Sequence, residues 1–426
     1  MKTLTMKGLC RSFLLALATL FLLGAAPGGY TCITAAKLVL YLALAGLFAA
    51  GALYCALRGA VKIPGRGSPA ALPLLLFWLW SLLSALLSPW AGKALLFGCR
   101  DEGMLTLTLY CLSFLLLAHY ALPEKRLLYV FAGAMSLNCL LCIWQLLDGN
   151  PLGLFPGQLR WSGRYQDYNG AFLGLTGNAG LGGALLCMAF PAFWAGALRL
   201  KKHLLLLPAA LCLGVLLCSE VRGAQLGALA GSLLALPVVL PLQRRGKRRL
   251  LLALLLLLLC LLALIYLHDF GGTLGEAHAL LHGRAEDGFG SGRIFIWRHV
   301  WKLLPERLLL GGGPDTLGLR MTEAFTRVLP DGSILTRSID CAHNEYLNIL
   351  VNQGLVGLLC YLAALGVSLL RWCKSRSDAA AITGACLLCY CIQAFFGISM
   401  PANGGFFWAL WGLLEASLRL EAGEET

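Results

Sequence analysis

The chain has 426 residues, 59% of them hydrophobic and 13% charged, with a net charge of +13. Soluble domains carry about a quarter charged residues, so a water-soluble globule is excluded. A nucleic-acid binder is excluded as well, because Lys and Arg fall in short clusters between apolar runs and not on a polar domain with interleaved aromatics.

An apolar run of about 18 residues crosses the hydrocarbon layer as a helix. Such runs give candidate spans at 12–28, 37–57, 70–89, 103–120, 127–147, 171–198, 203–219, 223–242, 250–267, 346–370, 379–398 and 403–418. The expected architecture is therefore all-α: a polytopic integral membrane protein with about twelve transmembrane helices and one large extracytoplasmic loop, 268–345, containing short amphipathic helices. The first run follows Lys2, Lys7 and Arg11 as a signal peptide would, but no convincing small-residue cleavage site separates it from the next span. It reads as a retained first helix.

With the amino terminus inside, cytoplasmic segments hold twenty Lys and Arg residues, among them Arg244, Arg245, Lys247, Arg248 and Arg249, whereas the short outer segments hold six. Long loops are left out of such a count because they translocate regardless of charge. This asymmetry puts the long loop, the segment Asp148 to Gly170 and the turn at Arg222 outside. Most of the seventeen cysteines lie within apolar runs and read as small buried hydrophobes. Cys139/Cys142 and Cys386/Cys389 have C-x-x-C spacing but no neighbours to complete four metal ligands, so no metal is expected.

The outer polar clusters follow in order. Arg100-Asp101-Glu102-Gly103 precedes the fourth span; Gly163-Arg164-Tyr165 and Thr176-Gly177-Asn178 flank the start of the sixth. Local capping and surface solvation are the plain readings for each. In Ser219-Glu220-Val221-Arg222-Gly223-Ala224 the turn is so short that Arg222 lies at or just below the outer interface, where it either snorkels to headgroups or holds an anion in its planar fork of donors. Ser291 to Leu304 reads as an amphipathic helix with Ile294, Trp297, Trp301 and Leu304 on one face and Arg298 and Lys302 on another. Arg293 sits in its first turn, where the helix dipole disfavours a cation, so it is either a purely structural residue or the ligand of a partner anion. Pro305 ends that helix, and Gly311-Gly312-Gly313 follows as a turn with no Gly-Lys-Ser/Thr to make it a Walker loop. Finally, Asp340-Cys341-Ala342-His343-Asn344-Glu345-Tyr346 opens a span. It offers either a base at the outer surface or simple capping by Asp340 or Asn344, with Glu345 favoured by the dipole.

Taken as an ordered set, these clusters resemble the O-antigen ligase and polymerase superfamily, most strongly from about residue 170 to 360. The resemblance implies a GT-C-like membrane glycosyltransferase of the cell envelope, with N-terminal helices over 1–170, a catalytic region over 171–420 that includes the loop, and a cytoplasmic tail at 421–426. It implies an active site on the extracytoplasmic side of the inner membrane. The donor would be a glycan on undecaprenyl diphosphate, and the acceptor a hydroxyl of a lipid, another glycan or a protein. By that resemblance Arg222 and Arg293 hold the diphosphate, His343 serves the acceptor, and Arg100, Asn178 and Glu345 are further substrate-binding candidates, with no metal and no cofactor. A transporter or lipid-linked glycan flippase is the rival reading, since about twelve spans suits one, although the polar clusters crowd the outer edge and not the mid-membrane. A non-enzymatic membrane scaffold is the weaker rival.

Overall fold

A computed structural model describes residues 5–25, 28–59, 67–147, 149–155, 173–328 and 334–423. Helix accounts for 74% of it, as the apolar runs demand. Among the described residues six helices are long and apolar enough to cross a bilayer: Ile33–Leu57, Lys125–Leu146, Ala179–Arg199, Arg222–Val239, Arg244–Leu267 and Glu345–Lys374. Shorter apolar helices occupy Ala71–Leu86, Met104–Tyr120, His203–Cys218 and Asp378–Gln393. Each of the twelve runs marked in the sequence overlaps a helix, the first Met6–Ala16 and the last Pro401–Glu421. Among the described residues strand is confined to one antiparallel pair that the sequence reading did not anticipate, Ala324–Val328 with Ile334–Ser338, where Ala324 faces Ser338 and Val328 faces Ile334.

The chain divides into two compact units. The first comprises 1–79, 105–240 and 360–426. At its centre Asp378–Gln393 packs on Arg222–Val239 and Ala179–Arg199. Gly223, Gly227 and Gly231 recur every fourth residue and so lie on one face of their helix. A Cβ at Gly231 would stand 2.6 Å from Cys389 Cα, and one at Gly227 would stand 2.8 Å from Cys389 O. Backbones approach this closely where small residues let van der Waals contact replace the hydrophobic drive that lipid cannot supply. Gly231→Val is therefore expected to cost about 1–3 kcal/mol by overpacking, read as a lower melting temperature in detergent; an unchanged melting temperature would refute this account of the helix pair. Cys187, Cys386 and Cys389 are buried among these helices, and Cys139 on Lys125–Leu146 is buried as well, as small apolar side chains would be.

Polar groups of the first unit gather near helix ends. Glu415 is fully buried and accepts from Ser68 Oγ at 2.6 Å and from Arg371 Nη1, and Arg199 pairs with Asp378 at 2.7 Å. Lys37, one of the six Lys and Arg residues that the charge count places in the short outer segments, is buried and donates to the carbonyls of Phe21 and Leu22. There the first helix ends in a π turn, Leu17–Phe21, and a cation suits its open carbonyls.

The second unit comprises 80–104 and 241–359. No residue of Arg244–Leu267 is buried, which fits a helix whose surroundings are acyl chains. Gly272–Leu281 packs against it. The unit's core is built from Ile296, Val300, Leu304, Leu317, Ile339, Ala342, Leu347 and Val351.

Two expectations need correction here. The amphipathic helix spans Phe289–Leu303, but Gly290, Ser291 and Gly292 inside it have φ of 61°, 61° and 88°, so the right-handed helix starts at Arg293. Its buried face is Ile296, Val300 and Leu304 with Trp297 packed against the core, so Leu304 and Trp297 of the expected stripe hold while Trp301 is 59% exposed. The helix Glu345–Lys374 is not continuous either: Gly354 has φ 75° and ψ 179°. The carbonyls freed by that break are taken up by Gly312 N, which donates to Val351 O at 3.1 Å, and Gly313 N, which donates to Asn352 O at 2.8 Å. The glycine turn is thus a packing device, since a Cβ at Gly311 would lie 2.3 Å from Asn352 O.

Candidate functional site

Four of the six residues singled out in the sequence, Arg100, Arg293, His343 and Glu345, lie in the second unit, where the segment Asp340 to Asn344 is the meeting point. Arg100 Nη1 donates to Asp340 Oδ1 at 2.8 Å. Trp297 Nε1 donates to Ala342 O at 2.9 Å, so the helix carrying Arg293 is tied to the residue before His343. Ala342 N donates to Asn348 Oδ1 at 3.2 Å, and Leu347 N to Asn344 Oδ1 at 3.1 Å. Asn344 thereby caps the helix that Glu345 opens, whereas Asp340, the other capping candidate, is the ion partner of Arg100.

His343 has φ +47°. A non-glycine residue in this left-handed region costs about 1 kcal/mol or more, and such strain persists where neighbours over-determine it, commonly at functional positions. The imidazole is part-exposed, beside Cys341 and Ala342, which are both buried. Strain recurs before Arg293, where three successive left-handed residues form the approach to the helix. Phe325 of the strand pair backs this turn: a Cβ on Gly292 would stand 2.8 Å from its ring. Arg293 Nη1 folds back to donate to Gly290 O at 2.5 Å.

The electrostatics follow from burial. Burial pushes the Arg293 guanidinium down from its ordinary value, opposed by Cys341. Burial would also lower Arg100, but Cys341, Asp340 and Asp315 around it raise it overall. Burial pushes the Cys341 thiol up to about 12, so at neutral pH it carries no charge and Asp340 supplies the counter-charge to Arg100. Both arginines thus lie within the electrostatic reach of a buried thiol that stands two residues before a part-exposed histidine. Fixed guanidinium groups of this kind suit phosphate oxygens, and an imidazole can take or orient a hydroxyl proton. Among the described residues no group of three or more His, Cys, Asp or Glu is placed to hold a metal ion.

Arg222 and Asn178 belong to the first unit. Arg222 is exposed and is the first residue of Arg222–Val239, with its N–H donating to Glu220 O at 2.9 Å; Glu220 makes the turn with φ +53°. Asn178 caps Ala179–Arg199, its Oδ1 accepting from Gly180 N at 2.8 Å and Leu181 N at 3.2 Å. The expected span from 171 therefore begins only at 179. Residues 173–178 run as non-helical backbone whose amides donate to side chains of Lys125–Leu146: Leu173 N and Gly174 N to Gln145 Oε1, Leu175 N to Asn138 Oδ1. Backbone outside a helix is tolerated at membrane depth only when satisfied this way. Gly163-Arg164-Tyr165 lies outside the described residues.

Sequence reasoning missed Asn138 and Gln145, although two amides inside an apolar run were a visible signal. It also missed Asp315, which follows the glycine turn, and Asn352, whose Oδ1 accepts from Arg320 Nη2 at 2.8 Å; nothing local marks either one.

Residues 207–362 match the family model described as O-antigen ligase. The match takes in Arg222, Arg293, His343 and Glu345 and leaves out Arg100 and Asn178. No curated protein matches the chain. At family level the resemblance drawn from the sequence is borne out over this stretch, and it supports an O-antigen ligase-like membrane glycosyltransferase.

Proposed function

We propose that this protein transfers or polymerises a glycan from an undecaprenyl-diphosphate-linked donor to an acceptor hydroxyl on the extracytoplasmic face of the cytoplasmic membrane. The observation that carries the reading is that Arg100 and the helix bearing Arg293 are both tied to the Asp340–Asn344 segment that carries His343, in a region that the O-antigen ligase match largely covers. In the proposed reaction the acceptor oxygen attacks the anomeric carbon and the glycosidic bond to the diphosphate breaks. Arg222 and Arg293 balance the charge growing on the leaving diphosphate, and His343 accepts the acceptor's proton or orients its hydroxyl. Such fixed donors act without a metal, which is the form of the reaction proposed here. Arg100, Asn178 and Glu345 are assigned to substrate binding.

The test is reconstitution in vesicles with a lipid-diphosphate-linked oligosaccharide and a hydroxyl acceptor. Formation of the coupled glycan supports the reading. Movement of the lipid-linked donor between leaflets without any new glycosidic bond would sink it and favour a flippase.

A further inference from the structure

The Asp315 carboxylate is almost fully buried, with 5% of the residue exposed, and it has no basic side chain at ion-pair distance among the described residues. Its ligands are backbone. Oδ2 accepts from Arg100 N at 2.5 Å and from Glu102 N at 3.1 Å, and the Asp315 carbonyl accepts from Cys99 N at 2.9 Å. The loop wraps the carboxylate by reversing its backbone twice, with φ +70° at Gly98 and +67° at Asp101. Any side chain at Gly98 would enter the carboxyl group, since a Cβ there would lie 2.4 Å from Asp315 Oδ2. Asp315 is itself left-handed, φ +54°, and is anchored by its neighbour: Thr316 Oγ1 donates to Gly313 O at 2.8 Å and Thr316 N to Asn352 Oδ1 at 3.3 Å. The glycine turn and the broken helix thus hold a carboxylate rigidly, and the 98–102 loop folds round it as backbone amides fold round an anion.

We propose that Asp315 is a positioning residue: its buried carboxylate shapes the 98–102 loop so that the Arg100 guanidinium is presented to the Asp340–His343 segment as a ligand for the donor's diphosphate. This rests on the reading of Arg100 given above. Without the carboxylate the amides of Arg100 and Glu102 lose their acceptor, and the loop has no reason to keep two left-handed residues, one of them Asp101. Arg100 then samples many positions, and binding of the donor weakens while the chemistry at His343 is unchanged.

Two readouts in the full-length protein test this. One is the rate at which a maleimide modifies Cys99, an exposed thiol in the same loop, followed by peptide mass spectrometry. The other is the KM for the lipid-diphosphate donor against kcat, with inorganic pyrophosphate as a competing probe. Asp315→Ala is expected to speed Cys99 labelling several-fold and to raise KM and the pyrophosphate inhibition constant about tenfold, with kcat little changed. Asp315→Asn, which keeps an acceptor oxygen, should restore much of both. Adding Arg100→Ala to Asp315→Ala should cost nothing further, because both remove one interaction.

Unchanged labelling in Asp315→Ala would overturn the proposal, as would equal acceleration in Ala and Asn, which loss of charge beside the thiol would give by itself. Additive losses in the double variant would also overturn it. Wild-type kinetics in Arg100→Ala together with faster labelling in Asp315→Ala would instead strike down the donor role of Arg100 and leave Asp315 as the organiser of the loop.

Discussion

Transfer is expected to fall by about two to four orders of magnitude in His343→Ala, the range that loss of a general base gives, with membrane insertion and detergent stability close to wild type. His343→Asn should be as inactive. Asn tolerates the left-handed backbone that His343 adopts at φ +47°, so this variant keeps the turn and removes only the imidazole. If His343→Asn were active, the side chain would be serving the turn and not the acceptor. Arg293→Ala and Arg222→Ala should each lose about two to three orders of magnitude, in line with removal of a fixed donor to developing charge. Arg222→Lys should rescue poorly, because an ammonium cannot reproduce the bidentate fork. Wild-type transfer in all three alanine variants would end the site assignment.

Gly354→Ala is expected to be the most damaging single methyl in the second unit. Its φ of 75° with ψ of 179° lies in a region essentially reserved to glycine, and strain there costs about 1–3 kcal/mol. The clash adds to this, since the new Cβ would stand 2.0 Å from Leu309 O, which is backbone and has no rotamer to yield. Relief requires the helix to straighten, and straightening withdraws the carbonyls of Val351 and Asn352 from Gly312 N and Gly313 N. The turn that carries Asp315 and the helix that follows His343 then lose their shared framework. The check is a lower melting temperature and faster proteolysis in the 305–320 stretch, alongside reduced transfer. Normal stability would show that the break at Gly354 is tolerated and not required.

His343→Asn probes chemistry on an intact scaffold, whereas Gly354→Ala probes whether the scaffold depends on one glycine. The Gly231→Val prediction concerns the first unit, where close backbone packing and not a site is at stake.

The sequence by itself determined the solvent and the helices. Whether a run of side chains can sit in hydrocarbon is a property of that run, so composition and run length sufficed to mark twelve segments, each overlapping a helix, six of which are long and apolar enough to cross a bilayer among the described residues. It also exposed the polar residues that interrupt the apolar pattern, and with them Arg293 and His343. Only the tertiary structure decided where the backbone leaves the helix, at 173–178, at 290–292 and at Gly354. The amides and carbonyls freed at 173–178 and at Gly354 are satisfied by partners far away in the chain, such as Gln145 for Gly174 and Gly313 for Asn352. The same reason hid Asp315, whose carboxylate serves amides more than two hundred residues earlier. A hydrogen bond across that separation leaves no periodicity to read, because periodicity records only what a residue's near neighbours require.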